Sequence, residues 1–404
     1  MRISIILVLL GAAFGMASAQ TSSPNASWAV TIDEVPAVAA ALGRIESYLQ
    51  AESTLGRRRV ELLSLIVARE MNLAYAWSVH EPAAVASGLE PVLVDVIRFN
   101  RPVVGLAGDD ALLIAFGRQL YRSRHVTSDT FAALIDELGR QAGFDAMMAL
   151  ALPAMLGLLQ RAVGRQPAGD WDTGDLPAIA GVGTPGGRPG DFVALGPRPP
   201  LPPDVHEDSY YRLPLLLRDE LDPPSREIFD RVVGAGQTAA PRGPVGMTFN
   251  SSVFVEPVQQ INTALRQDGS LGTRLAEIVI AATGREMNSQ YQWIVHGSGA
   301  ERAGAGQDVL DAIRDDGDLL GLDENDRVAI AFIQELFRDD AVSPQTFDAA
   351  VNLFGVRGTI EIAALAGDYL MMTTVYNALG MRLRPDQQPA LPHRAGAPVG
   401  AEWR

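Results

Sequence analysis

The chain has 404 residues, 47% hydrophobic and 20% charged, a composition with enough apolar surface to build two folded domains. Cysteine and lysine are both absent, which excludes a thiol nucleophile, a disulfide, a thiolate metal site and a Schiff-base lysine. The formal net charge of −15 repels nucleic acid and anionic lipid, so neither is expected as a partner.

The N-terminus has the pattern of an export signal. Met1-Arg2 is followed by an apolar run from Ile5 to Phe14 and by the small residues Ala17-Ser18-Ala19. We therefore predict a signal peptide over residues 1–19 and a periplasmic or extracellular protein, with an uncleaved anchor as the alternative. After cleavage no association with a membrane is expected, because no other stretch approaches about 18 uninterrupted apolar residues.

A segment of the chain occurs twice, at an offset of 216 residues. RRRVELLSLIVAREMNLAYAWSVH, which starts at Arg57, resembles TRLAEIVIAATGREMNSQYQWIVH, which starts at Thr273. The similarity continues without a gap to Gly164 and Gly380, with roughly 30 identical residues in about 110 paired positions. Two copies of this length indicate a duplicated domain rather than a repeat array.

The copies define the expected domain organisation. The first domain covers residues 20–164 and the second covers 209–384, separated by a linker over 165–208 that contains GVGTPGGRPG and GPRPPLPP. Residues 385–404 are expected to form a flexible C-terminal tail. Apolar residues recur at helical spacing, alternating runs are missing, and Asn72 is a plausible helix end, so both domains are predicted to be all-α. Pro153 is expected to kink the last helix of the first domain.

Histidine and glutamate offer the main acid–base chemistry. His80 follows Glu61 by 19 residues, and His296 follows Glu277 at the same spacing. A helix–turn–helix would bring each pair together, and a carboxylate on one ring nitrogen orients the imidazole and raises the basicity of the other nitrogen. A buried pair that only joins two helices is an equally weighted interpretation. No metal-binding motif is present, and neither a metal nor another cofactor is expected.

Other residues repeat around these pairs. Arg58 and Arg274 lie three positions before the glutamates and could clamp a substrate carboxylate, although such arginines more often neutralise an acid. The aromatic residues that repeat are candidates for a substrate pocket, with core packing favoured for tryptophan: Tyr75, Trp77, Tyr291 and Trp293.

The repeated R-x-x-E-(x)18-H pattern, closed by Y-x-W-x-x-H, resembles the carboxymuconolactone decarboxylase family of the AhpD-like superfamily. The resemblance implies two tandem helical domains, with Glu61/His80 and Glu277/His296 as active-site pairs. The thiol peroxidase branch of that superfamily places two cysteines between its glutamate and histidine. Here those positions are Leu73 and Ala76, or Ser289 and Gln292, which excludes its chemistry.

The function expected from the resemblance is cofactor-free decarboxylation or proton transfer on a small carboxylate or lactone. A non-catalytic binding or assembly module that keeps the fold is the alternative. Members of the family commonly assemble as trimers or hexamers. For a duplicated chain we expect the two copies to pack on each other, giving a monomer or a trimer of two-domain chains.

Overall fold

The computed structural model describes residues 32–106, 108–165, 176–179 and 186–404. The predicted signal peptide, residues 1–19, lies outside the described residues. Helices account for 65% of the structure and strands for 2%, which confirms the all-α prediction.

In the first half, a 3₁₀ turn (Ile32–Glu34) leads into the helices that carry the first Glu–His pair. Within its described residues the helices are α1 (Pro36–Ala51), α2 (Arg57–Glu70), α3 (Ala74–Ala86), α4 (Pro91–Arg98), α5 (Gly108–Ser123) and α6 (Ser128–Ala162). Thr127 caps α6, since its side chain accepts a hydrogen bond from the backbone N–H of Thr130.

The second half begins with short elements, most of which correspond at the 216-residue offset to positions outside the described residues. A 3₁₀ turn (Arg218–Glu220) precedes α7 (Pro223–Phe229), which continues into a π turn (Asp230–Gly234), and α8 (Pro244–Thr248) leads into a 3₁₀ segment (Phe249–Phe254). The main helices follow: α9 (Val255–Arg266), α10 (Gly272–Glu286), α11 (Gln290–Gln292) with a π turn (Trp293–Gly297), α12 (Ser298–Arg302), α13 (Gln307–Arg314), α14 (Glu324–Arg338) and α15 (Pro344–Ala378).

The main helices of the two halves follow each other in the same order. At an offset of 216 residues α4 matches α13 end to end, and α6 matches α15. Both α2 and α10 are followed by an asparagine with left-handed backbone, Asn72 (φ 55°) and Asn288 (φ 53°). Asparagine tolerates this conformation better than most residues, so the chain reverses there and brings the next helix back along the previous one.

The long helices α6 and α15 are interrupted at glycines rather than at proline. Gly139 (φ 76°, ψ 172°) and Gly355 (φ 70°, ψ 174°) leave helical geometry, whereas helical dihedrals continue through the buried Pro153. The kink at Pro153 stays a prediction, since a proline can bend a helix while its dihedrals remain helical. The interruptions fall at residues whose conformation only glycine adopts readily.

Alanine at position 139 is expected to destabilise the protein by about 1–3 kcal/mol, because a Cβ strongly disfavours this region of φ/ψ space. Space is not limiting, since a Cβ there would meet nothing within 4 Å. Chemical denaturation of Gly139→Ala should be compared with Gly108→Ala, which is equally open and lacks the positive φ. Equal unfolding free energies for the two variants would contradict the expectation.

By length and composition, α6 and α15 could each cross a membrane. The most apolar 18-residue window of α6 is wholly buried inside the protein, and that of α15 is 56% buried. Such burial is typical of core helices, which pass the same test.

The two halves pack through equivalent helices. α6 lies against α15 and α1 against α9, and one hydrophobic core runs through both halves. A Cβ at Gly367 of α15 would lie 2.9 Å from the side chain of Met155 on α6, so glycine permits the close approach. The side chain of Arg44 donates to that of Gln260, and these two positions are themselves 216 residues apart. Contact between equivalent positions is the property of a two-fold axis.

The C-terminal residues are packed, which corrects the expectation of a flexible tail over 385–404. β2 (His393–Arg394) pairs antiparallel with β1 (Phe192–Val193) of the predicted linker. Arg394 is fully buried, donating at 2.9 Å to each oxygen of Glu286 and at 2.9 Å to Asp316. The tail is ordered because it carries the charge that compensates two buried acids.

The described parts of the predicted linker lie against the rest of the chain. Arg69 donates to the carbonyl of Pro177 at 2.8 Å, and Arg285 donates to the carbonyl of Pro392 at 2.7 Å. The sequences there, LPAI and LPHR, thus dock on the two halves in the same way. Farther along, Arg198 donates to the carbonyl of Arg384 at 2.7 Å, so residues of the linker also lie against the tail.

Glu402 gives the tail a pH-dependent contact. It is buried against the start of α11, and burial raises its pKa from 4.5 to about 7, although hydrogen bonds from Gln290 and Ser289 oppose the rise. The folded chain therefore keeps a proton that the unfolded chain releases above pH 4.5. Stability should fall by up to about 3 kcal/mol as the pH rises from 4.5 to 7.

Glu402→Gln should remove this fall, because the amide stays neutral throughout. Urea unfolding at several pH values tests this, with Glu324→Gln as the control on the exposed start of α14. Parallel pH profiles for wild type and Glu402→Gln would contradict the prediction.

Candidate functional site

In the first half, the reversal at Asn72 brings Glu61 of α2 to His80 of α3. Nδ1 of His80 lies 2.9 Å from Oε2 of Glu61. The glutamate is completely buried, whereas the histidine side chain is 18% exposed. No described residue forms a hydrogen bond with Nε2 of His80, so this nitrogen is available to a small molecule.

In the second half, the equivalent pair is closer and more enclosed. Nδ1 of His296 lies 2.7 Å from Oε2 of Glu277, and the histidine side chain is only 8% exposed. His296 lies in the π turn Trp293–Gly297, whereas His80 lies in a regular α-helix. Such π turns are frequent at functional sites.

The second carboxylate oxygen of each glutamate has a different neighbour in the two halves. Nε2 of Gln50 donates to Oε1 of Glu61 at 3.1 Å, while Arg266, the equivalent residue, forms an ion pair with Glu277. Nε of Arg57 also lies 3.8 Å from Oε1 of Glu61. Glu61 thus accepts a hydrogen bond from a neutral amide and has an arginine at the limit of ion-pair distance. Glu277 forms a close ion pair with an arginine.

A further difference lies beside the imidazole. The ring of Tyr369 meets the ring of His296 edge to face at 4.8 Å, and Nδ2 of Asn262 lies 3.4 Å from the tyrosine hydroxyl. The equivalent residues of the first half are Pro153 and Glu46. Proline has neither the aromatic ring nor the hydroxyl of tyrosine. Near the first histidine, an acid and a proline therefore replace the amide and the tyrosine of the second half.

Glu46 is a site residue that sequence reasoning missed. It lies one helical turn before Gln50 on α1, is half-buried, and senses the charges of both His80 and Glu61. Burial raises the pKa of Glu46 from 4.5 to about 7, opposed by His80 and assisted by Glu61. A carboxyl that titrates near neutrality can donate or accept a proton. The available signal was the mismatch with Asn262 at the 216-residue offset.

Burial also controls the second site. It lowers the pKa of His296, with Glu277 opposing the change. Burial acts to raise the pKa of Glu277, but His296 and Arg266 outweigh it and the net shift is downward. Asp368, next to Tyr369 on α15, has a pKa raised to about 7 by burial. The second Glu–His pair therefore holds a neutral His296 imidazole against an ionised Glu277 carboxylate.

The arginines predicted to clamp substrate are engaged elsewhere. Nη1 of Arg58 lies 2.8 Å from Asp110, and Nη1 of Arg274 lies 2.7 Å from Asp326, each within a bidentate ion pair. Arg58 also donates to Glu90. These ion pairs hold α2 to α5 and α10 to α14, because the buried aspartates require a compensating charge. The structure thus corrects the predicted clamp.

The four repeated aromatic residues pack mainly in the core. Trp77 is fully buried, donates from Nε1 to Glu81 at 2.7 Å and lies beneath the Arg98 guanidinium. Trp293 is also buried, Tyr75 is half-buried, and Tyr291 meets Tyr376 edge to face at 5.3 Å. Their contacts match the core-packing interpretation better than a substrate pocket.

Two cavities lie away from the Glu–His pairs. A cleft of about 520 Å³ runs between residues 193–199 and 393–404. A cavity of about 40 Å³ lies between the halves, lined by Tyr121, Arg124 and Thr373 among others. Within the described ranges, no group of three or more histidine and acidic side chains could hold a metal ion.

No protein-family model, curated protein or solved structure matches the chain. The resemblance carried by the sequence motif therefore remains an expectation. The arrangement of the Glu–His pairs is the physical evidence on function.

Proposed function

We propose that this is an exported, two-domain protein of the carboxymuconolactone decarboxylase type. Its proposed activity is cofactor-free proton transfer or decarboxylation on a small carboxylate-bearing lactone or a related enolisable acid. The observation that carries the proposal is the contact of a buried glutamate with Nδ1 of a histidine, at 2.9 Å for Glu61/His80 and 2.7 Å for Glu277/His296.

The geometry suits acid–base chemistry in the first site. When Glu61 accepts the Nδ1–H of His80, the lone pair of Nε2 is the base that removes a proton next to a carbonyl. In decarboxylation the C–C bond breaks, CO₂ leaves with no proton, and the electron pair remains on the dienolate. For this reaction His80 starts as the imidazolium, with an Nε2 proton taken from water. It delivers that proton to the carbon of the dienolate, and water protonates the neutral ring again after CO₂ has left. Glu46 supplies a second titrating group beside the imidazole.

Positive charge near each pair supports an anionic substrate. Arg57 is half-exposed and lies 3.8 Å from the carboxylate of Glu61. In the second half, Arg266 and Arg302 both act electrostatically on His296. Because the whole chain carries a net charge of −15, a local arginine is needed to attract a carboxylate.

A binding or assembly module is the second candidate, and the second site favours it. His296 is nearly buried, with Tyr369 against its ring and Arg266 on its partner Glu277. This arrangement can join two helices without any turnover. A module of this kind would bind a ligand and leave it chemically unchanged.

The test is proton exchange by the mature protein in D₂O, with a panel of carboxylactones and enolisable acids followed by NMR. Catalysis predicts deuterium at the carbon next to the carbonyl, with or without loss of CO₂. The double variant His80→Gln/His296→Gln should lose it. His206→Gln should keep it, because His206 is exposed on the connecting segment, residues 194–217, between β1 and the 3₁₀ turn Arg218–Glu220. Binding of panel members without exchange or product would favour the module.

We also propose that the chain is a monomer or a trimer. The packing of α6 on α15 and of α1 on α9 already joins two like domains within one chain. Light scattering of the mature protein should therefore give one or three chains. A hexamer of full chains would contradict this proposal.

A further inference from the structure

Arg382, just after α15, is buried and forms no ion pair with a described residue. Only 7% of it is exposed, and its Nε and Nη1 atoms form no hydrogen bond. No carboxylate of the described residues forms an ion pair with it. Other deeply buried arginines have acceptors on the chain: Arg394 pairs with Glu286 and Asp316, while Arg69 and Arg285 donate to backbone carbonyls. Burying an unpaired guanidinium is costly, so a missing anion is the simplest partner.

Several segments of the chain meet at this position. The backbone N–H of Arg382 donates to Tyr210 at 2.8 Å, which fixes it beside the connecting segment. Asp204 and Arg212 come from that segment, and His125 comes from the loop before α6. Arg212 donates to the carbonyl of Val126, the residue after His125, which joins His125 to the Arg212–Asp204 pair. The charges of Arg382 and Arg404 also act on His125.

The charges in this cluster do not balance. Arg212 is satisfied, since it donates to Asp204 at 2.7 Å and to the carbonyl of Val126 at 2.8 Å. Arg404 donates to the carbonyl of Val399 at 2.7 Å and forms no ion pair within the described ranges. Neither Arg382 nor the exposed Arg404 forms an ion pair within the described residues, and the one nearby carboxylate, Asp204, is already bound by Arg212. Burial lowers the pKa of His125 to about 4, and the three arginines add to this effect, as expected in a positive field.

The unsatisfied atoms also indicate the kind of anion. Besides the two nitrogen atoms of Arg382, Nδ1 of His125 and Oδ1 of Asp204 are buried without a hydrogen-bond partner. Arg382 needs an acceptor, whereas the ionised Asp204 needs a donor. Hydrogen phosphate offers both, because it has acceptor oxygens and a hydroxyl group. Sulfate and simple carboxylates lack that hydroxyl at neutral pH.

We propose that Arg382, Arg404, His125 and Asp204 form a binding site for hydrogen phosphate or a phosphate monoester of a small molecule. The site lies where the two halves, the connecting segment and the C-terminal turn meet. Arg404 also lines the 520 Å³ cleft, which gives a small anion a route from solvent. Occupation would tie these segments together and stabilise the folded chain.

The experiment is isothermal titration of the mature protein with inorganic phosphate in phosphate-free buffer, together with thermal unfolding. Wild type should bind one phosphate per chain and show a melting temperature that rises with its concentration. Arg382→Met should bind at least about tenfold more weakly, the usual scale for a lost charge-assisted hydrogen bond. Arg384→Met is the matched control, because Arg384 is exposed and pairs with Asp386.

Further measurements separate the possible ligands and guard against misfolding. Without phosphate, Arg382→Met should be at least as stable as wild type, because an unpaired buried charge has gone. Arg404→Met, at the cleft, should also weaken binding. Sulfate and succinate should bind more weakly than phosphate, and methyl phosphate tests the ester form. Absence of phosphate binding by wild type, or equal affinity in Arg382→Met, would overturn the proposal.

Discussion

His80→Gln should lower turnover by about 10²- to 10⁴-fold on any substrate that the panel identifies, the usual range for loss of a general acid–base. His296→Gln should have a much smaller effect. The reason is access: the His80 side chain is 18% exposed, whereas that of His296 is 8% exposed and its ring contacts Tyr369. Single-turnover rates for the two variants, measured beside their melting temperatures, provide the test.

Two results would contradict this prediction. If His296→Gln alone abolishes turnover while remaining folded, the second site is the catalytic one. If both single variants keep full activity and the double variant does too, neither histidine is catalytic. His206→Gln controls for the general effect of losing an exposed imidazole.

Glu46 provides an independent readout of the first site. Its pKa of about 7 means that it is protonated below neutrality and ionised above it. If it donates a proton, the rate falls as the pH rises through about 7. Glu46→Gln should then remove that limb of the pH–rate profile. An unchanged profile in the folded variant would assign Glu46 a structural role.

Arg394→Ala is expected to be the most destabilising single substitution in the tail, costing about 3–5 kcal/mol. The change leaves Glu286 and Asp316 buried without Arg394. Arg338 still pairs with both acids, and the backbone N–H of Gly190 still donates to Asp316 at 2.9 Å. Guanidinium unfolding measures the loss. Arg384→Ala, which breaks an exposed ion pair with Asp386, should cost less than about 1 kcal/mol.

The first half suggests a rescue of this variant. There Glu70, the equivalent of Glu286, forms an ion pair with Arg122, and Nε of Arg118 lies 3.9 Å from its carboxylate. In the second half the position equivalent to Arg118 is occupied by Gln334. Gln334→Arg should therefore restore part of the stability that Arg394→Ala loses. A double variant no more stable than the single one would show that the two arginines are not interchangeable.

Much of the architecture follows from local sequence. Asn72 and Asn288 end helices because their left-handed backbone suits asparagine, and the reversal explains how residues 19 apart can touch. Arg58 shows the limit of such reasoning. Spacing places it on the helix of Glu61, but only the folded chain brings Asp110, 52 residues away, to its guanidinium.

Long-range contacts also explain what the sequence could not show. The tail appears polar and rich in proline, yet Arg394 is fully buried, because its partners lie about 80 and 108 residues earlier in the chain. Glu46 lies outside the most similar stretch of the two copies. Its proximity to His80 depends on how α1 packs on α2, which no local pattern encodes.

The contact between Arg44 and Gln260 has an evolutionary consequence. In a dimer of identical chains, each substitution enters both active sites at once, so neither site can change alone. Here the two similar halves share one polypeptide, and a difference such as Pro153 against Tyr369, or Glu46 against Asn262, alters the surroundings of a single Glu–His pair. A substitution in one half therefore leaves the other pair unchanged, and selection can act on each half independently.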